Sequence, residues 1–270
     1  MVPDEPGCAP LPAHVSAALE PGLLDALVAY ATRLRETLSR DLVGAYLYGS
    51  MVCGAHVPGS SDADLLVLHG SDLTRERRAA LAAMHEGLGQ DHAEASSLDV
   101  SFAPLRLVGI GGEESLPYLR HGAFRCSGGG DVNVALWHGL RERGVAVWGR
   151  PATEVVPPVT REVLDAEMLR NLAFLRRRMP KYAVSGTEAT VFGVLSLCRV
   201  LYTLRTGSPI EKAEAARWAM QSVSHSWRPL LLGVLDRYEN GEYSGANVLL
   251  RVRAVAFSRA LVRRSSDQTA

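Results

Sequence analysis

One short stretch of the chain combines a Gly-Ser pair with two aspartates. Gly49-Ser50 interrupts an apolar run, and after eleven further residues Asp62 and Asp64 lead into residues 65–68, which are all apolar. Glycine allows a phosphate to approach the backbone closely, and a serine at the start of a turn offers its hydroxyl and neighbouring N–H groups to an anion. The pair therefore predicts a phosphate cradle beside an acidic strand.

The two aspartates have the spacing of a metal clamp. Asp62 and Asp64 lie two apart on a segment that we predict to be extended, so both carboxylates leave the same face of the sheet. Their Cα atoms are then roughly 6.5–7 Å apart. Hard carboxylate oxygens suit Mg²⁺, which predicts a magnesium site for in-line displacement at phosphorus. An isolated Asp-x-Asp is usually a solvated turn, but the buried strand that follows favours the functional interpretation.

A third carboxylate, Asp99, lies in a segment that alternates like a strand. Leu98, Val100 and Phe102 share one face of this segment and leave Asp99 on the other. If this strand neighbours the Asp62/Asp64 strand, Asp99 joins the cluster as a metal ligand or as the base for an acceptor hydroxyl. The alternative is an ordinary aspartate on the exposed face of an antiparallel strand.

The composition is that of a globular protein. The 270 residues are 47% apolar and 21% charged, which is enough for two domains. No run of 18 uncharged apolar residues predicts a membrane span, and the N-terminus lacks the features of a secretory signal. The four cysteines form no C-x-x-C pair, which argues against zinc or a disulfide framework. We therefore predict a cytoplasmic protein without a membrane partner.

Periodicity divides the chain into three parts. Residues 1–20 contain four prolines and are predicted to be a flexible tail. Strand and helix patterns mix over 21–155, whereas 156–270 shows helical periodicity alone, so we predict an α+β domain followed by an all-α helical bundle. The first part, 1–155, carries 12 Arg against 19 Asp and Glu (−7), and the remainder carries 17 Lys and Arg against 10 Asp and Glu (+7). This asymmetry is compatible with a metal in one domain and phosphates at the other, and equally with opposite charges that help two domains associate.

The elements can be predicted individually. In the first domain we predict a helix from Pro21 to Leu38, further helices over 74–90 and 132–143, strands over 42–48, 65–68, 98–102 and 145–148, and loops over 109–112 and 127–130. In the second domain we predict helices over 160–179, 187–206, 209–222, 227–240 and 245–264. Ser208-Pro209-Ile210-Glu211 reads as a capping box that starts the 209–222 helix.

These residues resemble the nucleotidyltransferase superfamily pattern of Gly-Ser, a spacer, Asp-x-Asp and a distant acid. Residues 199–207 and 211–220 narrow the resemblance, because they are similar to the C-terminal signature of the aminoglycoside adenylyltransferases that modify streptomycin and spectinomycin at the 3″ and 9 hydroxyls. The resemblance implies a nucleotidyltransferase-fold domain (a mixed sheet with flanking helices), a C-terminal helical bundle, ATP as co-substrate with Mg²⁺ between them, and a small hydroxylated acceptor.

The resemblance also implies residue roles. Gly49 and Ser50 would contact the triphosphate, Asp62 and Asp64 would hold the metal, and Asp99 stands where the family has a glutamate proposed as the general base. Four further residues match family positions that contact the nucleotide, namely Arg199, Lys212, Tyr238 and Asp131. Two more, Phe124 and Glu188, match positions that contact the acceptor. From the residues alone, Asp131 is equally well placed to cap the 132–143 helix, and Tyr238 to be a packing residue.

The acceptor-binding positions differ from the family pattern. Phe124 replaces a drug-contacting tryptophan, and Glu188 is the single acid in the loop 181–188 that matches a drug-binding loop. A dicationic sugar should require more negative charge, which disfavours streptomycin and leaves spectinomycin or a non-drug hydroxyl compound open.

We predict a monomeric enzyme that adenylylates a small acceptor, and two alternatives stay open. A nucleic-acid acceptor would need an extended basic surface with stacking aromatics. Aromatic residues make up only 6% and the net charge is zero, so we expect no nucleic-acid partner. A non-catalytic nucleotide-binding regulator is disfavoured because Ser50 and all three carboxylates are present.

Overall fold

The computed structural model describes residues 11–54, 62–110, 114–129, 132–245 and 247–261. The chain divides into two compact units, of which the first ends at Val159 and the second begins at Thr160. This boundary lies four residues beyond the predicted one. The reason is that Ala152 and Val156, which follow the last strand, are buried in the core of the first unit against Trp137.

The first unit is built from a sheet and flanking helices. Across its described residues the strands are β1 (Leu42–Leu47), β2 (Ala63–His69), β3 (Leu98–Pro104), β4 (Leu116–Arg120), β5 (Ala123–Gly129) and β6 (Val145–Gly149). The α-helices are α1 (Ala13–Ala18), α2 (Pro21–Leu38), α3 (Arg75–Asp91), α4 (Val134–Arg143) and α5 (Ala152–Val155).

The six strands form one mixed sheet in the order β5-β4-β3-β2-β1-β6. β2 and β3 run parallel, with α3 in the crossover between them, and the other neighbouring pairs are antiparallel. Residues 65–68 of β2 are fully buried, as expected for a strand covered on both faces. The predicted α+β architecture with a mixed sheet is confirmed.

Alternation along β2 and β3 sorts their side chains between two cores. Leu65, Val100 and Phe102 pack on the face covered by α2 and α3, where Leu27 and Tyr30 are fully buried. The opposite face carries a second cluster, in which Leu66, Leu68, Ala103 and Trp137 are buried. Because Asp64 alternates with Leu65 and Asp99 with Val100, both aspartates belong to the Trp137 face.

Two predicted segments of the first unit differ in the structure. Residues 13–18 of the predicted tail form α1, and Val15 is buried together with Leu19 in the first core, whereas residues 1–10 of that tail lie outside the described residues. The predicted loop 127–130 is strand β5 as far as Gly129. Gly128 has φ +114, and a Cβ there would lie 3.3 Å from the Tyr118 ring of β4, so this glycine serves strand packing.

The second unit is helical, which confirms the predicted C-terminal bundle. Its described α-helices are α6 (Arg161–Ser185), α7 (Thr187–Thr206), α8 (Lys212–Ser222), α9 (Arg228–Asn240) and α10 (Val248–Ala260). α6 continues past the predicted end at 179 and contains Pro180 within the helix.

The predicted start of α8 at Pro209 is wrong. The helix begins at Lys212, with Glu211 at the N-cap and no side-chain cap hydrogen bond. Two side chains of α7 instead form hydrogen bonds with backbone carbonyls of the segment before α8. Thr203 Oγ1 donates to Ser208 O at 3.2 Å, and Arg199 Nε donates to Ile210 O at 2.9 Å. These contacts hold residues 208–210 outside the helix.

By length and composition, α7 is apolar enough to cross a membrane, since an 18-residue window has a mean hydropathy of 1.2. However, 56% of this window is buried inside the protein, and α7 packs against α6, α8, α9 and α10. Within this helix, the side chains of Val191, Val194, Leu195 and Cys198 are buried. A core helix has the same composition, and α7 occupies that position in the second unit.

A buried histidine joins α3 to the first core. His85 Nδ1 lies 2.6 Å from Leu81 O, so this nitrogen carries the hydrogen, and Nε2 accepts from the Tyr30 hydroxyl at 3.1 Å. The ring also stacks on Phe124 with centroids 5.4 Å apart. Burial lowers the pKa of His85 from 6.5 to about 4, which keeps the ring neutral in the core.

We expect the free energy of unfolding to decrease as the pH falls from 6.5 towards 4. In that range His85 binds a proton in the unfolded chain but not in the folded protein. The contribution of the neutral His85 to the free energy of unfolding is therefore complete above pH 6.5 and is lost on acidification. The loss should be about 3 kcal/mol. Urea unfolding across this range should show a shallower pH slope for His85→Gln. Burial also lowers the pKa of His69, but this residue is the same in the wild type and in the variant. Identical pH slopes for the two proteins would therefore contradict this role of His85.

Candidate active site

The carboxylates of Asp64 and Asp99 lie side by side on the two parallel strands. The register of β2 and β3 pairs Asp64 directly with Asp99, on strands that lie about 4.8 Å apart. Asp99 is only 9% exposed, and Asp64 is partly buried. Two like charges at adjacent positions on one face are mutually destabilising, so the pair requires positive charge nearby.

Arg120 supplies part of that charge. Its Nε donates to Asp99 Oδ2 at 2.7 Å, and its guanidinium carbon lies 5.8 Å from the centre of the Tyr118 ring. The antiparallel register, in which Val100 pairs with Leu119, places Arg120 opposite Asp99. The sequence analysis missed Arg120, because neither β4 nor its register with β3 was predicted.

Gly49 lies directly against one of these carboxylates. It has φ +71, and a Cβ built on it would lie 2.3 Å from Asp64 Oδ2. The backbone N–H of Tyr48 donates to Asp64 O at 3.0 Å, and that of Cys53 donates to Ser50 O at 3.3 Å. A glycine is therefore needed at position 49, because the Asp64 side chain occupies the space that a Cβ would take. Ser50 lies in the turn that follows.

Asp62 immediately precedes β2 and is exposed. Within the described ranges, no three His, Cys, Asp or Glu side chains are grouped closely enough to hold a metal ion. The role of Asp99 as a third ligand beside Asp62 and Asp64 stays a prediction, and Oδ2 of Asp99 is bound by Arg120. Asp62 and Asp64 offer hard oxygen donors that fit Mg²⁺, beside the turn that begins at Gly49.

Two of the predicted nucleotide contacts are brought together in the second unit. Lys212, the first residue of α8, places Nζ 5.8 Å from the Tyr238 ring and 5.9 Å from the Phe192 ring. Arg199 is held at the approach to α8 through Ile210 O. The two rings fix a cation at the N-terminus of α8, where its charge opposes the helix dipole. Phe192 was missed because its helical position predicts packing only.

The other predicted positions are placed less favourably or lie outside the described residues. Phe124 pairs with Leu119 and lies edge-on to Phe102, so its ring is on the face opposite Asp64 and Asp99. Glu188 is exposed in the first turn of α7.

Asp131 lies outside the described residues. The helix cap proposed as its alternative role is taken by Asn133, whose side chain accepts from the Leu136 N–H at 3.1 Å.

Comparisons with known proteins identify the family. Residues 154–263 match the model of the aminoglycoside adenylyltransferase C-terminal domain. Aminoglycoside (3″)(9) adenylyltransferases of Klebsiella pneumoniae and Escherichia coli are each 30% identical over 222 residues, covering 74% of this chain and 79% of the relative. The chain belongs to this family.

Other adenylyltransferases extend the comparison. An aminoglycoside (3″)(9) adenylyltransferase of Rhizobium radiobacter is 35% identical over 109 residues, covering 40% of this chain and 39% of the relative. The crystal structure of spectinomycin adenyltransferase AAD(9) from Enterococcus faecialis, with ATP and spectinomycin, superposes with a TM-score of 0.68. The superposition covers 87% of this chain and 99% of the AAD(9) chain, at 18% sequence identity. The family and nucleotidyltransferase fold implied by the sequence motifs are thus confirmed.

We expect Gly49→Ala to weaken the binding of Mn²⁺, a spectroscopic substitute for Mg²⁺, by roughly 10-fold. The added methyl group would displace the Asp64 carboxylate. Gly54→Ala is the matched control, because Gly54 has φ +72 but nothing within 4 Å of an added Cβ. Both variants should lose about 1–2 kcal/mol in urea unfolding from the left-handed backbone. Equal Mn²⁺ affinities by electron paramagnetic resonance titration would refute the steric explanation.

Proposed function

We propose that this adenylyltransferase-family protein transfers AMP from ATP to a hydroxyl of an aminoglycoside or aminocyclitol such as spectinomycin, as a cytoplasmic monomer. The observation that carries the proposal is the pairing of Asp64 with Asp99 on adjacent parallel strands, directly against Gly49. The names of the relatives support adenylylation of aminoglycosides. The complex of the structural neighbour supports ATP and spectinomycin as the ligand classes.

In this proposal Asp62 and Asp64 have a different role from Asp99. Mg²⁺ held by Asp62 and Asp64 would supply electrostatic stabilisation of the charge that develops on the transferred phosphoryl group. The Asp64 side chain fills the space beside Gly49, and the hydroxyl of Ser50, in the turn that follows, would contact the triphosphate. Because Asp99 is held by Arg120 at 2.7 Å, its orientation is fixed before an acceptor binds.

In the proposed reaction, a carboxylate oxygen of Asp99 accepts the proton of the acceptor hydroxyl. The resulting oxygen nucleophile forms a bond to the α-phosphorus of ATP, while the bond from that phosphorus to the bridging oxygen breaks and pyrophosphate departs. Asp99 is one methylene shorter than the glutamate that the family resemblance implies here. Its pairing with Arg120 gives the shorter side chain a defined position.

The second unit contributes the remaining nucleotide contacts of the proposal. Lys212 would donate to a phosphate oxygen, with its position supported by Phe192 and Tyr238. Arg199 and Tyr238 are assigned to the nucleotide as well, and all of these residues lie in the region that matches the family model. Glu188, exposed at the start of α7, is assigned to a cationic acceptor, and Asp131 stays a prediction from the resemblance. Phe124 is left out because its ring packs on the opposite face.

We expect Asp62→Asn and Asp64→Asn each to reduce adenylyl transfer at least about 100-fold, because each removes a charged oxygen ligand of the Mg²⁺ that would stabilise the transferred phosphoryl group. Purified protein should be assayed with Mg²⁺, ATP and spectinomycin, following pyrophosphate release and product mass. Asp25→Asn is the matched control, since Asp25 is an exposed aspartate on α2 and should keep full activity.

Streptomycin and a nucleic-acid acceptor belong in the same assay as competing substrates. Full activity in either site variant would refute the assignment of Asp62 and Asp64. Binding of ATP without transfer to any acceptor would instead favour the regulator.

We expect Lys212→Met to raise the KM for ATP about 10-fold or more, because it removes a charge-assisted hydrogen bond to phosphate. The chain has only two lysines, and Lys181, which is exposed, provides the matched control. Lys181→Met should leave the kinetics unchanged. Equal KM values for the two variants would remove Lys212 from the nucleotide site.

A further inference from the structure

The solvent side of α6 carries cations and, after Glu167, no carboxylate. Residues 168–187 contain no Asp or Glu but five basic residues, namely Arg170, Arg176, Arg177, Arg178 and Lys181. Arg176 is half-buried and the other four are exposed. On the opposite side of the helix Leu172, Leu175 and Met179 are buried. The helix therefore separates an apolar packing side from a basic solvent side.

The four exposed cations lie with one aromatic ring along a single stripe of the helix. This basic stripe consists of Arg170, Phe174, Arg177, Arg178 and Lys181. Steps of three and four residues return to the same side of an α-helix. The guanidinium carbon of Arg178 lies 5.4 Å from the centre of the Phe174 ring. At 1.5 Å per residue the stripe is about 16 Å long, which is enough for several consecutive phosphates of a polynucleotide strand.

Carboxylates offset little of the charge of the basic stripe. Arg170 pairs with Glu167 at 2.5 Å, whereas the other three cations of the stripe form no ion pair with the described residues. The main packing partners of α6 are α7 and α10. The sequence of α7 has one acid, Glu188, and that of α10 has three arginines without an acid. Even with Glu188 counted against it, this surface keeps a surplus of positive charge.

We infer that the basic stripe is a binding surface for single-stranded RNA. Arg177, Arg178 and Lys181 would donate to successive phosphates. An unpaired base would stack on Phe174, which is 44% exposed. A duplex keeps its bases stacked on one another, so a single strand fits this surface better. The choice of RNA over DNA rests on the proposed cytoplasmic location, whereas the surface itself stands on the geometry of α6.

An anionic membrane is the competing partner for a basic helix surface. Leu169 and Val184 are exposed on the same helix. However, a helix that lies in a membrane interface buries its broad apolar side in lipid, and the apolar side of α6 is packed within the second unit. The remaining exposed side combines cations with a stacking ring, which favours the polynucleotide.

The average composition of the chain conceals this surface. Zero net charge and 6% aromatic residues led to the expectation of no nucleic-acid partner. The helices of the second unit distribute their charges unevenly, because their acids are concentrated in α8, α9 and the first two turns of α6. Segregation of the charges between helices thus produces a local surface that the total does not predict.

A fluorescein-labelled oligouridylate of about 12 nucleotides is the probe for the basic stripe. In anisotropy titrations with the full chain we expect a Kd on the order of 10 µM at about 50 mM salt. Arg177→Gln combined with Arg178→Gln should weaken binding at least about 10-fold and make its salt dependence shallower. Phe174→Leu should weaken it about 5-fold or more through lost stacking. Arg217→Gln combined with Arg228→Gln is the matched control, because it removes the same charge from exposed positions on α8 and α9, and it should bind like the wild type.

Four outcomes would overturn the inference. They are no binding by the wild type, equal affinities of the α6 double variant and its control, displacement of the oligonucleotide by saturating Mg²⁺ and ATP, and tighter binding to phosphatidylserine vesicles with no effect of Phe174→Leu. Adenylyl transfer should be unchanged in the α6 variants, since none of these residues is assigned to the reaction. A protein that binds RNA through this stripe but transfers no AMP would keep the inference and lose the proposed function.

Discussion

The parallel pairing of β2 with β3 is the constraint on which the site depends. It places Asp64 and Asp99 at the same level of one sheet face, where two carboxylates repel each other. Arg120 compensates Asp99 across the next strand pair, and the absence of a side chain at Gly49 leaves space for Asp64. A divalent cation at Asp62 and Asp64 would complete this compensation. The same arrangement that weakens the bare fold thus prepares it for a charged ligand.

Local sequence patterns predicted the elements whose burial is uniform. The apolar residues 65–68 specify a covered strand, and the helical stripe of α7 specifies a core helix, because both patterns carry the information within one segment. The β4–β5 hairpin could not be recognised in this way. Its turn is His121-Gly122 rather than Asn-Gly or Asp-Gly, and β5 ends in glycines that usually indicate a loop. Only pairing with β4 and contact with Tyr118 make this segment a strand.

The same distinction separates the site residues that were predicted from those that were not. Asp62 and Asp64 stand next to a buried strand, so their position follows from short-range pattern. The partner of Asp99 depends on the register between distant strands, which no single segment encodes. Phe124 and Arg125 illustrate this point, because the pairing of β5 with β4 decides which of the two neighbours lies on the same sheet face as Asp99. The arginine does, and the aromatic ring packs on His85.

The net charge of a long segment is a poor guide to the ligands of this protein. The first part of the chain, residues 1–155, carries −7, yet the sheet face beside its paired carboxylates presents two arginines on adjacent strands. A ligand there experiences the nearest few charges, because salt screens interactions between exposed groups beyond about 10 Å. The strand register converts an acidic sequence into neighbouring negative and positive patches. The proposed transfer, in which a metal is held and an anion is released on one surface, needs both signs within the span of a single substrate.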